Sequence, residues 1–250
     1  MENKKYDWII NKSNIPYLKL DLELPFEDIF KEVLEIKDNA ISQQGNNSWK
    51  GTVLHGLSSD KPRPASFYGY KDEDEAPYIW TKVAENSKFT KNWIEKTFPF
   101  EKLYRVKMNL LSPGGEIGPH VDGKKHILGV SDLTSPEHVV YITLAVEWPK
   151  DIVFNVGKHI LPIKTGDAYL INFSHLHEVY NHTNKDRYSI IVMCKFGHNN
   201  KEWEQIVERS YKKFGDEYKK NKTSIKFYLK SRLISRPIYL LGRLKSKLKR

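Results

Sequence analysis

Four residues of this chain, His120, Asp122, His177 and Arg187, have the types and the order of a metal site with an anionic ligand beside it: H-V-D, a long gap, then H-x9-R. Two imidazoles and one carboxylate on one face of a metal ion leave the opposite positions open, which suits mononuclear non-haem Fe(II) and its oxygen chemistry. The arginine has a separate task. Its planar fork matches a carboxylate bidentately, so it can hold the far end of a dicarboxylate whose near end chelates the iron.

The chain must bring these residues together from separate segments. A strand over residues 115–122 puts His120 and Asp122 on one face, roughly 6.6 Å apart along it, because side chains alternate with period two. His177 lies 55 residues beyond Asp122 and needs another strand. The spacing predicts one over 167–173 and, after a polar step, over 177–180, with Gly166-Asp167 as the turn before it. Residues 181–186 (N-H-T-N-K-D) are a polar turn between two apolar runs, which predicts a hairpin folded about His182 into a strand over 187–193. Such a hairpin sets Arg187 opposite His177, one strand from the metal, with both side chains on one face. Ser189, two residues on, shares that face and is a second candidate for the carboxylate.

Taken singly, each residue has a plainer reading. An H-x-D in a chain with nine histidines is weak, His177 alone reads as a core or hairpin histidine, and Arg187 alone as a surface cation at a turn. Together, in order and after a proline-glycine turn, they favour the metal site. His175 is the local rival to His177, with the same strand parity but without the ten-residue step to arginine. His126, His138, His159, His182 and His198 read as surface or loop residues. No C-x-x-C or H-E-x-x-H pattern competes for a metal.

The stretches MNLLSPGGEIGPHVD and GDAYLINFSHLHEVYNHTNKDRYSIIV resemble the aspartyl/asparaginyl β-hydroxylase-like branch of the 2-oxoglutarate- and Fe(II)-dependent oxygenases. The P-G-G-x-I-x-P-H lead-in, the H-E-V-[WY]-N segment and the step from His177 to Arg187 carry the likeness, over roughly residues 100–197 and more faintly the preceding 50. The resemblance implies His120 and His177 as iron ligands and Arg187 as the clamp for the distal carboxylate of 2-oxoglutarate. Asn109, eleven residues before His120, falls where a small polar residue contacts the co-substrate. Two departures stand out. The animal aspartyl hydroxylases have a non-ligating residue where Asp122 completes a triad here, and a co-substrate-contacting histidine of theirs is matched by Thr143.

The implied activity is that of a dioxygenase using Fe(II), 2-oxoglutarate and O2, with ascorbate assisting, that releases succinate and CO2 while it hydroxylates a C–H of an amino-acid side chain. The implied substrate is aspartyl, asparaginyl or prolyl, free or within a peptide or protein. No separate general base is expected, because the hard chemistry belongs to the cofactor. Lys107 and Tyr141 face the cavity if the strand parity holds. Two readings of other classes remain: a non-catalytic cupin-like metal or ligand-binding module, and an interaction protein acting through a basic tail.

With 250 residues, 39% hydrophobic and 12% aromatic, the chain can bury one substantial core. Many short strands separated by turn signals point to a sandwich or barrel, and the resemblance narrows this to a mainly β double-stranded β-helix, the jelly roll of cupins, with flanking helices and a helical basic C-terminal tail. Amphipathic spacing predicts helices over 25–37 and 88–98, and another over 199–214. Strands are expected over 49–56, 103–111, 138–147 and 151–156, and the acid run 72–75 as a solvated loop. The domain organisation expected is a single oxygenase domain over 1–217, with its β-helix core at about 100–197, followed by a tail over 218–250.

The formal charge of +10 resides in that tail. Residues 219–250 hold 12 of the 41 basic residues and no acid, which leaves 29 basic against 31 acidic residues in the rest. Leu240, Leu244 and Leu248 recur at helical steps of four, after Pro237. Such a stretch can lie on an anionic membrane, bind nucleic acid, dock on a protein partner, or pack on its own domain. The single cysteine, Cys194, sits in an apolar run and reads as a buried hydrophobe in a reducing compartment. No apolar run is long enough for a signal peptide or a membrane span, so a cytoplasmic protein, or one peripheral to a membrane, is expected.

Overall fold

Apolar residues alternating with period two build most of this chain into strands, and a computed structural model describes how they pair. It describes residues 16–222 apart from 44, 59–62, 64, 72, 121, 123–138, 174 and 198–199. In chain order the strands are β1 (Tyr17–Lys19), β2 (Ile41–Gln43), β3 (Asn46–Gly56), β4 (Ile79–Trp80), β5 (Lys102–Leu111), β6 (Glu116–His120), β7 (Val140–Glu147), β8 (Ile152–Val156), β9 (His159–Ile160), β10 (Ala168–Ile171), β11 (His177–Asn181) and β12 (Arg187–Lys195). The helices are α1 (Phe26–Ile36), α2 (Lys88–Thr97), α3 (Lys201–Phe214) and the short α4 (Glu217–Lys220).

Two antiparallel sheets form. The larger runs β1-β10-β7-β12-β5-β3-β2, with β4 added to β3, and the smaller runs β6-β11-β8-β9. This is the double-stranded β-helix, with helices on one side. The central strand β12 shows why both faces of the large sheet are buried. Tyr188, Ile190, Val192 and Cys194 point to a cluster shared with Ile29 and Val33 of α1, Ile94 of α2, and Trp203, Ile206 and Val207 of α3. The alternate residues Arg187, Ser189, Ile191 and Met193 face the other way. On that side a second cluster joins Leu111, Ala145, Tyr169 and Ile171 of the large sheet to Ile117, Phe154, Val156 and Val179 of the small one.

Helix α3 starts where sequence and chemistry agree. Asn200 accepts a hydrogen bond from Trp203 N at 3.0 Å, an N-cap worth about 1 kcal/mol, and the Trp203 ring stacks on Phe196 with centroids 3.7 Å apart. Cys194 is fully buried and free, and burial raises its thiol pKa well beyond the usual range.

The expected hairpin does not form. β11 pairs with β6 and β8 in the small sheet, whereas β12 pairs with β5 and β7 in the large one, so residues 182–186 carry the chain from one sheet to the other. Asn181 fixes this crossover. Its Nδ2 donates to Leu111 O (2.9 Å), Ser112 O (3.0 Å) and Lys185 O (2.8 Å), and its Oδ1 accepts from Thr183 N and Oγ1. Gly114, at φ +68, turns the chain into β6 and donates its N–H to Asn181 O at 2.9 Å. One buried residue, through side chain and backbone, therefore ties the ends of β5, β6, β11 and β12. Asn181→Ala leaves the buried Leu111 carbonyl and the more accessible carbonyls of Ser112 and Lys185 without this donor and is expected to cost about 2 kcal/mol, read as a lowered urea midpoint at unchanged slope. A loss under about 1 kcal/mol would contradict this role.

The acid run is not simply solvated: Asp74 accepts from Tyr104 OH at 2.6 Å and pairs with Lys195 at 3.3 Å. Most of the basic tail, from residue 223 on, lies outside the described residues, as do His126, His138 and His198. Residues just before it lie along β9. Ile160 N donates to Asn221 O at 2.9 Å, and His159 bridges to Lys222. Among the described residues, no helix is long and apolar enough to cross a membrane.

Candidate metal centre

β6 and β11 lie side by side in the small sheet, and their register places His120 directly opposite His177. The two rings stand 4.1 Å apart, tilted at 54°. Asp122 follows two residues after His120, held by a hydrogen bond from its N to Phe173 O at 3.2 Å. The ligating atoms of His120, Asp122 and His177 all lie within 4.8 Å of one another, with His120 Nε2 3.7 Å from Asp122 Oδ1. Convergence of two imidazoles and a carboxylate at this distance is what a divalent cation needs.

Each ring is oriented by backbone. His120 Nδ1 lies 2.7 Å from Gly118 O and His177 Nδ1 lies 3.0 Å from His175 O. A carbonyl can only accept, so each Nδ1 carries the proton and each Nε2 keeps its lone pair for the site. Burial lowers the His177 pKa to about 4, with His120 adding to the effect, so the ring is neutral at neutral pH as a ligand must be. His175 stays out of the triad and contributes its carbonyl instead.

The facing wall belongs to the large sheet. Arg187 is 3% exposed, donates from Nη2 to Ser189 Oγ at 3.0 Å, and stacks 4.7 Å over the Trp148 ring. Burial pushes its pKa down to about 9, with no opposing charge among the described residues, so it still holds its proton at neutral pH. A buried guanidinium without a carboxylate is costly and calls for an anion. Asn109 stands opposite Ser189, and Thr143 opposite Ile191, on neighbouring strands. Arg187 Nε, Asn109 Nδ2 and Thr143 Oγ1 are all buried with no hydrogen-bond partner among the described residues. Three such orphans on one face, beside a buried cation, fit a bound carboxylate that would satisfy them.

Aromatic rings connect the two walls. Trp148, Phe154 and Phe173 follow one another at 6.2 and 6.3 Å, and Phe173 lies 4.6 Å from His177. On the other side Trp49 donates to Asn109 Oδ1 at 3.3 Å, and its ring lies 6.4 Å from His120. Sequence reasoning did not find Trp49 or Trp148, because neither carries a spacing signal; only the register of β3 and the turn after β7 bring them in. Lys107 and Tyr141 both feel the charge of Asp122, and Tyr141 packs 5.4 Å from Phe173.

Residues 25–198, more than two thirds of the chain, match the family model described as aspartyl/asparaginyl beta-hydroxylase. No curated protein matches the sequence. Among solved structures, the chain is similar to a 2OG-Fe(II) oxygenase family oxidoreductase from Burkholderia pseudomallei, at 12% identity and a TM-score of 0.46, covering 78% of this chain and 92% of that one. It is similar to a prolyl hydroxylase from Trichoplax adhaerens in complex with a hypoxia inducible factor peptide fragment, at 10% identity and 0.46, covering 80% and 91%. A viral collagen prolyl hydroxylase from Paramecium bursaria Chlorella virus-1 follows at 12% and 0.43, covering 74% and 99%.

Proposed function

The chain belongs to the aspartyl/asparaginyl β-hydroxylase family, and from that premise we propose that it is a 2-oxoglutarate- and Fe(II)-dependent dioxygenase hydroxylating a C–H of an amino-acid side chain, aspartyl, asparaginyl or prolyl, free or within a peptide or protein. The observation that carries this reading is the pairing of two features across one pocket. Three ligating groups lie within 4.8 Å at the small sheet, and on the large sheet stands an arginine buried with no counter-charge among the described residues.

His120, Asp122 and His177 would hold the iron, and Arg187, Ser189 and Asn109 would receive the distal carboxylate of 2-oxoglutarate. Iron bound there supplies O2 activation, coupling decarboxylation of 2-oxoglutarate to succinate and CO2 with insertion of one oxygen atom into the substrate C–H. The protein's own contribution is positional. The backbone carbonyls of Gly118 and His175 hold the imidazoles in one tautomer, as outer partners of metal ligands do. The rings of Trp148, Phe154 and Phe173 keep the inner pocket dry, which strengthens the pairing of Arg187 with an anion. Residues 1–217 would form the oxygenase domain and residues 218–250 a basic extension whose occupant, an anionic membrane, nucleic acid or a protein, is open to test by its salt dependence. A cytoplasmic or membrane-peripheral setting accords with the single buried cysteine.

Given Fe(II), 2-oxoglutarate, ascorbate and O2, the protein is expected to form succinate slowly without its primary substrate, and a screen of amino acids and peptides to yield a +16 Da product dependent on 2-oxoglutarate. Metal binding with no 2-oxoglutarate turnover would favour the non-catalytic cupin-like module. Function that survives His120→Ala would favour an interaction protein working through the tail.

A further inference from the structure

One cation of this region, Lys107, is not among the residues assigned above to the metal or to 2-oxoglutarate. Lys107, on β5, is two residues from Asn109 and so shares its face, with Ile191 and Val53 opposite it on the neighbouring strands. Its stem crosses Gly51, where an added Cβ would come 2.6 Å from Lys107 Cε. Any larger residue on β3 would push the lysine aside. The ammonium lies 4.9 Å from the centroid of the Trp49 ring and donates to Gln43 Oε1 at 3.1 Å. Trp49 in turn bonds Asn109 and neighbours His120. A single indole thus links this ammonium to both walls of the site.

Lysines ordinarily extend their heads to water. This one is folded inward onto two neutral partners, and among the described residues no carboxylate lies within ion-pair distance of it. Burial, followed by Arg105, lowers its pKa to about 7, while Asp122 opposes the shift. The charges of Fe(II), Asp122, doubly ionised 2-oxoglutarate and Arg187 balance to zero, so the loaded site leaves Lys107 in surplus.

We propose that Lys107 is a specificity-determining residue that receives a carboxylate of the organic substrate, so that this enzyme selects an acidic substrate over its neutral amide counterpart. The assignment rests on the oxygenase reading and adds to it which substrate charge the pocket accepts. The fixed stem, the indole and the glutamine preorganise one donor on the face that carries Asn109, and a charge-assisted bond there discriminates strongly against a group that cannot return the charge.

The test uses peptides in matched pairs, Asp against Asn and Glu against Gln at one position, with free aspartate and asparagine. Two readouts are taken: the 2-oxoglutarate-dependent +16 Da product, and binding to the zinc-loaded protein, in which no redox chemistry occurs. The wild type is expected to favour the acidic member of a pair by about thirtyfold or more, Lys107→Gln to lose that preference, and Lys107→Arg to retain most of it. Titration of 2-oxoglutarate into each metal-loaded protein is run alongside and is expected to give the same affinity for all three. Equal or better use of the neutral member, a preference that survives in Lys107→Gln, or no acidic ligand bound by a protein that binds metal and 2-oxoglutarate would each overturn the assignment. A loss confined to 2-oxoglutarate affinity would overturn it too, by moving Lys107 into the co-substrate cradle. A wild type that binds neither metal nor 2-oxoglutarate would instead bring down the oxygenase reading itself.

Discussion

Replacing Arg187 with methionine should abolish 2-oxoglutarate-dependent succinate formation while leaving metal binding in place. Among the described residues the guanidinium has no counter-ion, and a fully desolvated charge pair is worth about 2–5 kcal/mol when one partner is truncated, or roughly thirty- to several-thousandfold in affinity for the dicarboxylate. Methionine keeps most of the volume over Trp148. Because the change removes an uncompensated buried charge, the ligand-free variant should be at least as stable as the wild type. The wild type, in contrast, should gain about 2.7 kcal/mol at a 2-oxoglutarate concentration of 100 Kd, a gain the variant lacks. Thermal melts of metal-loaded protein with and without 2-oxoglutarate read both effects. Equal stabilisation of the two proteins would remove Arg187 from the co-substrate site.

Asp122→Ala and His177→Ala are expected to act on the other wall. Loss of an outer partner of a metal ligand already costs 10–100-fold in affinity, so loss of a ligand should cost at least about a hundredfold, with succinate formation falling to background. The two variants differ in side effects. Asp122 is partly exposed, so its loss should leave the fold intact. His177 is 4% exposed and packs on Phe173, so its removal opens a cavity and adds about 1–3 kcal/mol of instability. Equilibrium dialysis with Fe(II) under anaerobic conditions, beside circular dichroism, separates ligand loss from unfolding. Metal affinity unchanged in Asp122→Ala would show that the carboxylate does not coordinate.

How far the sequence could be read is clearest at these residues. Period-two alternation was enough to place Arg187 with Ser189, because parity along a strand is local; Asp122 comes near His120 from just beyond the end of β6, where its N–H donates to Phe173 O rather than continuing the expected strand. Which sheet a strand joins is not local. The polar run after Asn181 marks a reversal of direction, and a hairpin is its simplest continuation, yet the triple donation from Asn181 Nδ2 sends β11 and β12 into different sheets. Arg187 therefore stands on the large sheet, not on the strand next to His177. The short edge strands β1, β2, β4 and β9 span two or three residues each and leave no periodic signal. Trp49, Trp148 and Gly51 belong to the same class. Their importance comes from register alone, where a ring happens to lie under a guanidinium or a missing Cβ opens the path of a lysine. The long apolar segments around β5, β7 and β12 and the helices α1, α2 and α3 were readable because burial on a whole face repeats over ten residues.

The most direct test of the account is an anaerobic crystal structure of the protein with Fe(II) and 2-oxoglutarate. It should place the metal on His120, Asp122 and His177 and one carboxylate of the dicarboxylate on Arg187 and Ser189. A metal bound elsewhere, or a 2-oxoglutarate that leaves Arg187 unpaired, would contradict it.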